Sequence, residues 1–400
     1  MRFLHTADWH LGRSFHGSSL LEAQARWIDW LVELAREREV DAIVVSGDIY
    51  DRALPPVDAI ALADDALRRL VEIAPVVAVS GNHDSAGRLS FGSALFERAG
   101  VHLRTDPARV AEPVMIGDTA FYAIPYLEPD LVRGAMGVDE RGHHAVLGTA
   151  MDAIRTDLAA RPAGTASVVL AHAFVAGAVE SASERDLSVG GVAHVPASVF
   201  SGVDYVALGH LHGPQRVGDN GRYAGSPIAF SFSEAQHRKS VVLVDLVPAG
   251  GAAAARAAAD PQQSLLDPEP ELGTRHELIA CPVDRPLARI SGPLDVLLAD
   301  PALSDVQDAW VEATITDPVR PLEAMEHLRA RFPFAVVLRH EPVGAAERPS
   351  GSYADRVRGL DDRALAARFV QDVRGAEPTE DEQSLLDDAL ADRRLVESLA

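Results

Sequence analysis

The chain has 400 residues, with 37 Lys+Arg against 59 Asp+Glu, a formal net charge of −22. That length exceeds one ordinary core and implies two or three domains. An apolar fraction of 47% with 24% charged residues excludes a disordered chain. The single cysteine, Cys281, excludes an intrachain disulfide and fits a reducing, cytoplasmic compartment. No apolar run approaches the roughly 20 residues of a membrane span, and the early charges of the N-terminus do not read as a signal peptide. On total charge alone, nucleic acid is an unfavourable partner, although a total says nothing about distribution.

Over residues 1–247, short apolar runs alternate with amphipathic stretches. Residues 40–46, 75–80, 167–171 and 203–208 are β-branched runs without alternation, the pattern of strands buried on both faces. Residues 20–38 and 57–72 repeat apolar side chains every three or four positions and read as helices, with Trp27 and Trp30 in the core. Strand–helix alternation predicts an α/β layered domain. Residues 222–229 and 240–246 read as strands of a more antiparallel half.

The small, Ala- and Pro-rich stretch 248–274 reads as a linker or crossover. Residues 275–342 follow as a small α+β module. Its strands are predicted at 287–291, 310–316 and 335–340, and its helices at 293–298 and 321–331. The tail, 352–400, holds two amphipathic helices, about 361–374 and 379–399. Thr379-Glu380-Asp381-Glu382 opens the second as a capping box. Two helices have no core of their own and must dock on this chain or on a partner.

Five segments share one design, in which a strand ends and Asp, Asn or His follows at once. They are Asp8-Trp9-His10, Gly47-Asp48, Gly81-Asn82-His83-Asp84, Ala171-His172 and Gly209-His210-Leu211-His212. In open α/β sheets, sites form at the carboxyl ends of strands, so five such ends can deliver ligands to one edge. Imidazole and carboxylate together suit Mn²⁺, Fe or Zn²⁺. Two nearby cations repel, and a shared carboxylate relieves this; Asp48 suits that bridge. Paired metals suit in-line phosphoryl displacement. Gly47, Gly81 and Gly209 are expected to permit the sharp exits from the strands. Arg13, Arg52, Arg88 and Arg216 each follow a metal motif by a few residues and are candidate phosphate contacts. His5, inside a strand, reads as a core histidine, His143-His144 as a solvated pair, and Cys281 as a small buried apolar residue. His194 and His237 are candidates to approach the cleft.

The five segments in this order resemble those of the calcineurin-like metallophosphoesterases. The runs Leu4 to Arg13, Gly47-Asp48-Ile49-Tyr50-Asp51-Arg52-Ala53-Leu54-Pro55-Pro56, Gly81 to Ser85, Ala207 to Pro214, Tyr223 to Pro227 and Ser231-Phe232-Ser233-Glu234 resemble the SbcD family of nuclease subunits. The resemblance is close over 1–246 and looser beyond. It implies a layered β-sandwich flanked by helices, a capping domain and C-terminal helices. It implies one divalent metal, usually Mn²⁺, on Asp8, His10, Asp48 and His212, and a second on Asp48, Asn82, His172 and His210. His83 would sit beside the scissile phosphate, stabilising it or protonating the leaving 3′ oxygen, with Asp84 orienting it. Where some relatives carry a second His, this chain has Asp51, so that role does not transfer. The resemblance further implies 3′→5′ exonuclease action on double-stranded DNA ends, endonuclease cleavage of single strands and hairpins, a homodimer, and complex formation with an SbcC-type ATPase through the tail. This chain has no Gly-x-x-x-x-Gly-Lys-Ser/Thr loop and is not itself read as the ATPase. A stand-alone phosphatase or cyclic-nucleotide phosphodiesterase on the same site, and a non-catalytic DNA-end scaffold, are the alternatives.

Overall fold

The computed structural model describes residues 1–184, 195–247, 274–343, 357–374 and 377–398. It divides into two units, Met1–Asp284 and Arg285–Ala400.

The first unit is built on two six-stranded sheets. One runs in the order Arg275–Ala280, Ser240–Asp245, Arg2–Thr6, Ala42–Ser46, Val76–Val79, Val101–Arg104. Its last four strands are parallel, and the first two join antiparallel. The other sheet runs Gln215–Val217, Gly221–Tyr223, Tyr205–Gly209, Ala166–His172, Thr119–Ile124, Val114–Ile116. The sheets pack face to face. Phe3, Val44 and Val77 from one interlock with Phe121, Val168 and Tyr205 from the other in a dry layer, and Phe3 meets Phe121 and Tyr205 edge-on. Strands that pack on both faces have no polar side, which is why their sequences run apolar without alternation.

Helices close the outer faces. Leu21–Glu37 and Val57–Val71 cover the first sheet with Trp27, Ile28, Leu31 and Leu70. His143–Ala159 covers the second with Val146, Leu147, Met151 and Ile154. This is the expected layered β-sandwich. The predicted strand 222–229 shortens to Gly221–Tyr223, because the chain leaves the sheet at Ala224 and turns through Gly225 at φ 79°. His5 is fully buried between the sheets, where Nδ1 meets the Tyr205 hydroxyl at 3.1 Å and Nε2 the Leu208 carbonyl at 3.2 Å.

Residues Arg275–Ala280 pair antiparallel with Ser240–Asp245 as the outermost strand of the first sheet. The boundary expected at 275 therefore lies after Asp284. The strand's mostly exposed side chains carry no apolar period that would tie it to a distant partner.

The second unit contains a three-stranded parallel sheet of Leu287–Gly292, Trp310–Ile315 and Ala335–His340. Leu294–Ala299 and Ala324–Arg331 make the crossovers, and Leu297, Leu328 and Phe332 pack on Val311, Ala313 and Ile315. The tail helices are Asp362–Arg374 and Glu380–Ser398. The second begins with a reciprocal capping box, in which Glu382 N–H donates to Thr379 Oγ1 and Thr379 N–H to Glu382 Oε2. Among the described residues, no helix is long and apolar enough to cross a membrane.

Candidate metal centre

All five segments follow strands of the two central sheets and meet where the sheets face each other. The loops are laced by backbone hydrogen bonds. Asp8 N–H donates to the Gly47 carbonyl, His10 N–H to Asp48 and Leu11 N–H to Ile49, at 2.9–3.0 Å. Asp8, His10, Asp48 and His210 all adopt left-handed φ values of 55°, 45°, 50° and 108°. Non-glycine residues rarely hold this conformation, so the surrounding bonds must enforce it, as happens at functional sites. Close approach explains two glycines. A Cβ at Gly209 would collide with the Ser46 carbonyl, and one at Gly81 with the Asp48 carboxylate. Of the three glycines expected at sharp strand exits, Gly47 has the left-handed φ, 89°; Gly81 and Gly209 instead make room for neighbours.

Asp8, His10, Asp48, His172, His210 and His212 are each no more than 2% exposed. Candidate ligand atoms of Asp8, His10 and His212 converge within 4.8 Å, as do those of Asp8, Asp48 and His172, and those of His10, Asp48 and His83. Asp48 reaches both sides, with Oδ2 3.6 Å from His10 Nε2 and 3.5 Å from His172 Nε2. Asn82 Oδ1 lies 2.8 Å from His172 Nε2. His210 lies beside His172, ring centroids 5.4 Å apart, and its backbone N–H donates to the Asp8 carboxylate at 3.0 Å.

The donor set fits divalent cations. His172 Nδ1–H donates to the Ser46 carbonyl at 2.9 Å, so its Nε2 presents a lone pair. That lone pair faces the Asn82 and Asp48 oxygens, a convergence of acceptors that a cation satisfies. His10 and His212 bring their Nε2 atoms within 3.1 Å, and His210 Nε2 is buried without a hydrogen bond. Burial pushes His10 and His210 well below the usual imidazole range, helped by neighbouring histidines, and His172 down to about 4. Neutral imidazole is the ligating form. Burial and the adjacent Asp48 push Asp8 up, as expected for two carboxylates packed together.

His83 stands at the more open rim, its ring edge-on to His10 with centroids 4.6 Å apart. Its Nδ1–H donates to the Asp51 carbonyl at 2.7 Å, and a ring nitrogen lies within 4.8 Å of donor atoms of His10 and Asp48. Asp84, expected to orient His83, is held by backbone partners. Asp84 accepts backbone N–H bonds from Ile49 at 3.1 Å and from Tyr50 and Gly81 at 2.9 Å, so it ties two loops together. Burial and the Asp48 charge push it up to about 6, against those three donors.

The arginines divide. Arg13 Nη1 is 3.5 Å from Asp51 Oδ1, Nη2 donates to the Ser183 carbonyl at 3.1 Å, and the guanidinium lies over Phe230. Arg52 is exposed, and Arg88 donates to the Ala53 carbonyl. Arg216 turns its guanidinium onto the Gly218 and Asp219 carbonyls of its own turn, a local bond that spacing does not foretell. His143 is buried at its helix start, with its ring near Tyr126, which corrects the solvated pair; only His144 is exposed. Half-buried His237 packs against Gly213. His194 lies outside the described residues.

Spacing did not reveal a second layer behind His212. Its Nδ1 contacts Ser183 Oγ at 2.6 Å, and its backbone N–H donates to Glu184 Oε1 at 2.8 Å. Ser183 also donates to Glu234, which pairs with buried Lys239. Burial raises Glu234, yet the His212 imidazole, its Nδ1 3.6 Å from Oε1, and the Lys239 charge hold it down to about 2. The quoted Ser231-Phe232-Ser233-Glu234 run carried part of this signal; the serine 51 residues away did not.

The model of the calcineurin-like phosphoesterase family matches residues 1–214. That of the Type 5 capsule protein repressor C-terminal domain (SbcD_C) matches residues 283–374. Among solved structures, TT1561 of Thermus thermophilus is 13% identical over 56% of this chain and 89% of its own, with a TM-score of 0.36. A dimetal phosphatase from Danio rerio is 12% identical over 56% and 86%, with a TM-score of 0.31. The N-terminal match spans more than half of the chain and contains the whole cluster of acidic and imidazole ligands, and the C-terminal match follows it in order: the chain belongs to the calcineurin-like phosphoesterase family, on the SbcD-type plan, and is a metal-dependent phosphoesterase.

Proposed function

We propose that this phosphoesterase is a DNA nuclease subunit, acting as a 3′→5′ exonuclease on double-stranded ends and as an endonuclease on single strands and hairpins. The supporting observation is the pairing of one buried carboxylate–imidazole cluster with a C-terminal module of SbcD type in the same chain. Asp8, His10, Asp48 and His212 would hold one divalent cation, and Asp48, Asn82, His172 and His210 the other, with Mn²⁺ the ion suggested by the resemblance. When bound, the cations supply charge for an in-line displacement at phosphorus. His83 takes the acid role. Its Nδ1–H donates to the Asp51 carbonyl, which fixes the ring, and the imidazole would give a proton to the leaving 3′ oxygen. Arg13, fixed against Asp51 and the Phe230 ring, is the best-placed guanidinium for a backbone phosphate.

The remaining parts of the reading are a homodimer, work in DNA repair, recombination and replication at the nucleoid in the cytoplasm, and an SbcC-type ATPase partner gripped by the tail helices. Phe369, Val373 and Leu385 of those helices are more than half exposed, as a helix-in-groove contact requires. The test compares blunt and hairpin DNA with a small chromogenic phosphodiester, in Mn²⁺ and Mg²⁺, with and without SbcC. Mn²⁺-dependent hairpin cleavage supports the reading. Turnover of the small ester alone overturns it in favour of a stand-alone phosphodiesterase.

A further inference from the structure

We propose that Ser183 and Glu234, locked by Lys239, are positioning residues that hold His212 in the tautomer whose Nε2 lone pair points into the metal cluster. The inference rests on the reading that this cluster binds divalent cations.

Imidazole has one proton to place when neutral, and only the unprotonated nitrogen can ligate. At His212 the two choices have opposite consequences. Nε2 faces His10 Nε2 at 3.1 Å, and Nδ1 faces Ser183 Oγ at 2.6 Å. Ser183 has one hydroxyl proton. Glu234, 1% exposed, accepts it. Ser183 Oγ is then left as an acceptor toward His212, so the imidazole proton sits on Nδ1. Lys239, 7% exposed, fixes the acceptor side of this chain: its Nζ donates to Glu234 Oε2, leaving Oε1 for Ser183, and also to Ser226 Oγ at 2.9 Å and the His212 carbonyl at 2.9 Å. Lys239 thus grips both the carboxylate that orients the ring and the backbone that carries it. Glu184 holds the His212 N–H from the other side. Such outer partners typically change metal affinity 10–100-fold when removed.

The experiment measures Mn²⁺ binding to the full chain by isothermal titration. Alongside, ¹⁵N-histidine-labelled metal-free protein reports the His212 tautomer by long-range ¹H–¹⁵N correlation, with His212→Gln identifying the signal. Ser183→Ala is expected to weaken the affected Mn²⁺ site at least 10-fold and to move His212 from a pure Nδ1–H pattern to a mixed one. Ser183→Thr keeps the hydroxyl and is expected to stay within about 2-fold of the unaltered protein. Glu234→Gln is expected to act like Ser183→Ala. Should it fail to fold because it strands buried Lys239, the half-buried Ser183 pair still decides the matter. If Ser183→Ala binds Mn²⁺ as the unaltered chain does, with an unchanged His212 pattern, the positioning role is wrong while the metal centre stands. If the unaltered chain binds no Mn²⁺, the metal reading itself fails, and this inference with it.

Discussion

Removing the Asp84 carboxylate separates a loop-tying role from a chemical one. Asp84 accepts three backbone N–H bonds, two from the loop after Asp48 and one from Gly81. Hydrogen bonds to an ionised acceptor are worth about 1.5–3 kcal/mol each. The residue is half-buried, so water recovers part of the loss in Asp84→Ala, and the expected destabilisation is about 3–5 kcal/mol. Asp84→Asn can keep its carbonyl oxygen toward Ile49 and Gly81 and turns its amide onto the Tyr50 N–H, losing one bond, about 1.5–3 kcal/mol. The assay is equilibrium urea unfolding of the metal-free chain at constant pH. Because His83 N–H donates to Asp48 Oδ1 at 2.8 Å, slack loops displace the Asp48 carboxylate and His83 together. Mn²⁺ affinity and kcat should therefore fall in parallel in Asp84→Ala, each by about 10-fold or more. A variant that unfolds within about 1 kcal/mol of the unaltered protein, binds Mn²⁺ normally and yet loses activity would refute the loop-tying account and return Asp84 to the chemistry.

Other consequences are independent of that one. His83→Gln should retain Mn²⁺ affinity within about 2-fold and lose about 10²–10⁴-fold in cleavage rate, measured by titration and a hairpin assay; retained cleavage sinks its role as acid. His5 is buried and pushed from 6.5 to about 3, so it folds neutral but gains a proton when unfolded. Its contribution is intact above pH 6.5 and erodes toward pH 3, by about 5 kcal/mol at most. His5→Gln, which cannot titrate, should flatten the pH dependence of the urea midpoint between pH 6 and 4; an unchanged slope contradicts this. Gly209→Ala should cost 3 kcal/mol or more in thermal or urea unfolding, at about the level of a severe core change, because its Cβ meets the Ser46 carbonyl. Deleting residues 353–400 should abolish co-purification with an SbcC-type partner while leaving Mn²⁺ binding intact; a surviving complex rules out the tail as the grip.

The candidate centre was legible as a cluster because its candidate ligands come in short local runs. A buried strand shows as an apolar run, and Asp, Asn or His at its end has few structural uses, so Gly81-Asn82-His83-Asp84 carries its meaning within four residues. What was not legible depends on pairings between distant segments. Asp84 sits beside His83, which suggests that it orients the ring. Its partners are the Gly81 amide and two amides of a loop 34 and 35 positions earlier, where chemical type is uninformative because every residue but proline carries an N–H. The edge strand Arg275–Ala280 was lost to the next module for a similar reason: its exposed side chains show no period, and only hydrogen bonds to Ser240–Asp245 define it. His143 looked solvated in its polar run, but the helix it opens packs inward.

The acidity of the chain narrows what its own surface can do. Residues 1–245 hold 21 basic against 31 acidic side chains, and neither later segment is basic. Asp8 and Asp48 are buried in the centre; two divalent cations bound as proposed would offset them and leave local positive charge for a phosphate. The guanidiniums beyond that point are largely engaged. Arg88 serves the Ala53 carbonyl, Arg216 its own turn, and Arg13 shares itself between Asp51 and Ser183. Counterion release scales with the number of phosphates neutralised, so engaged guanidiniums such as these add little affinity for DNA outside the centre. On the proposed nuclease reading, the chain would cut a backbone delivered to it but hold one weakly. Sustained grip on DNA would then fall to a basic surface on the proposed ATPase partner, which would give the tail helices their use.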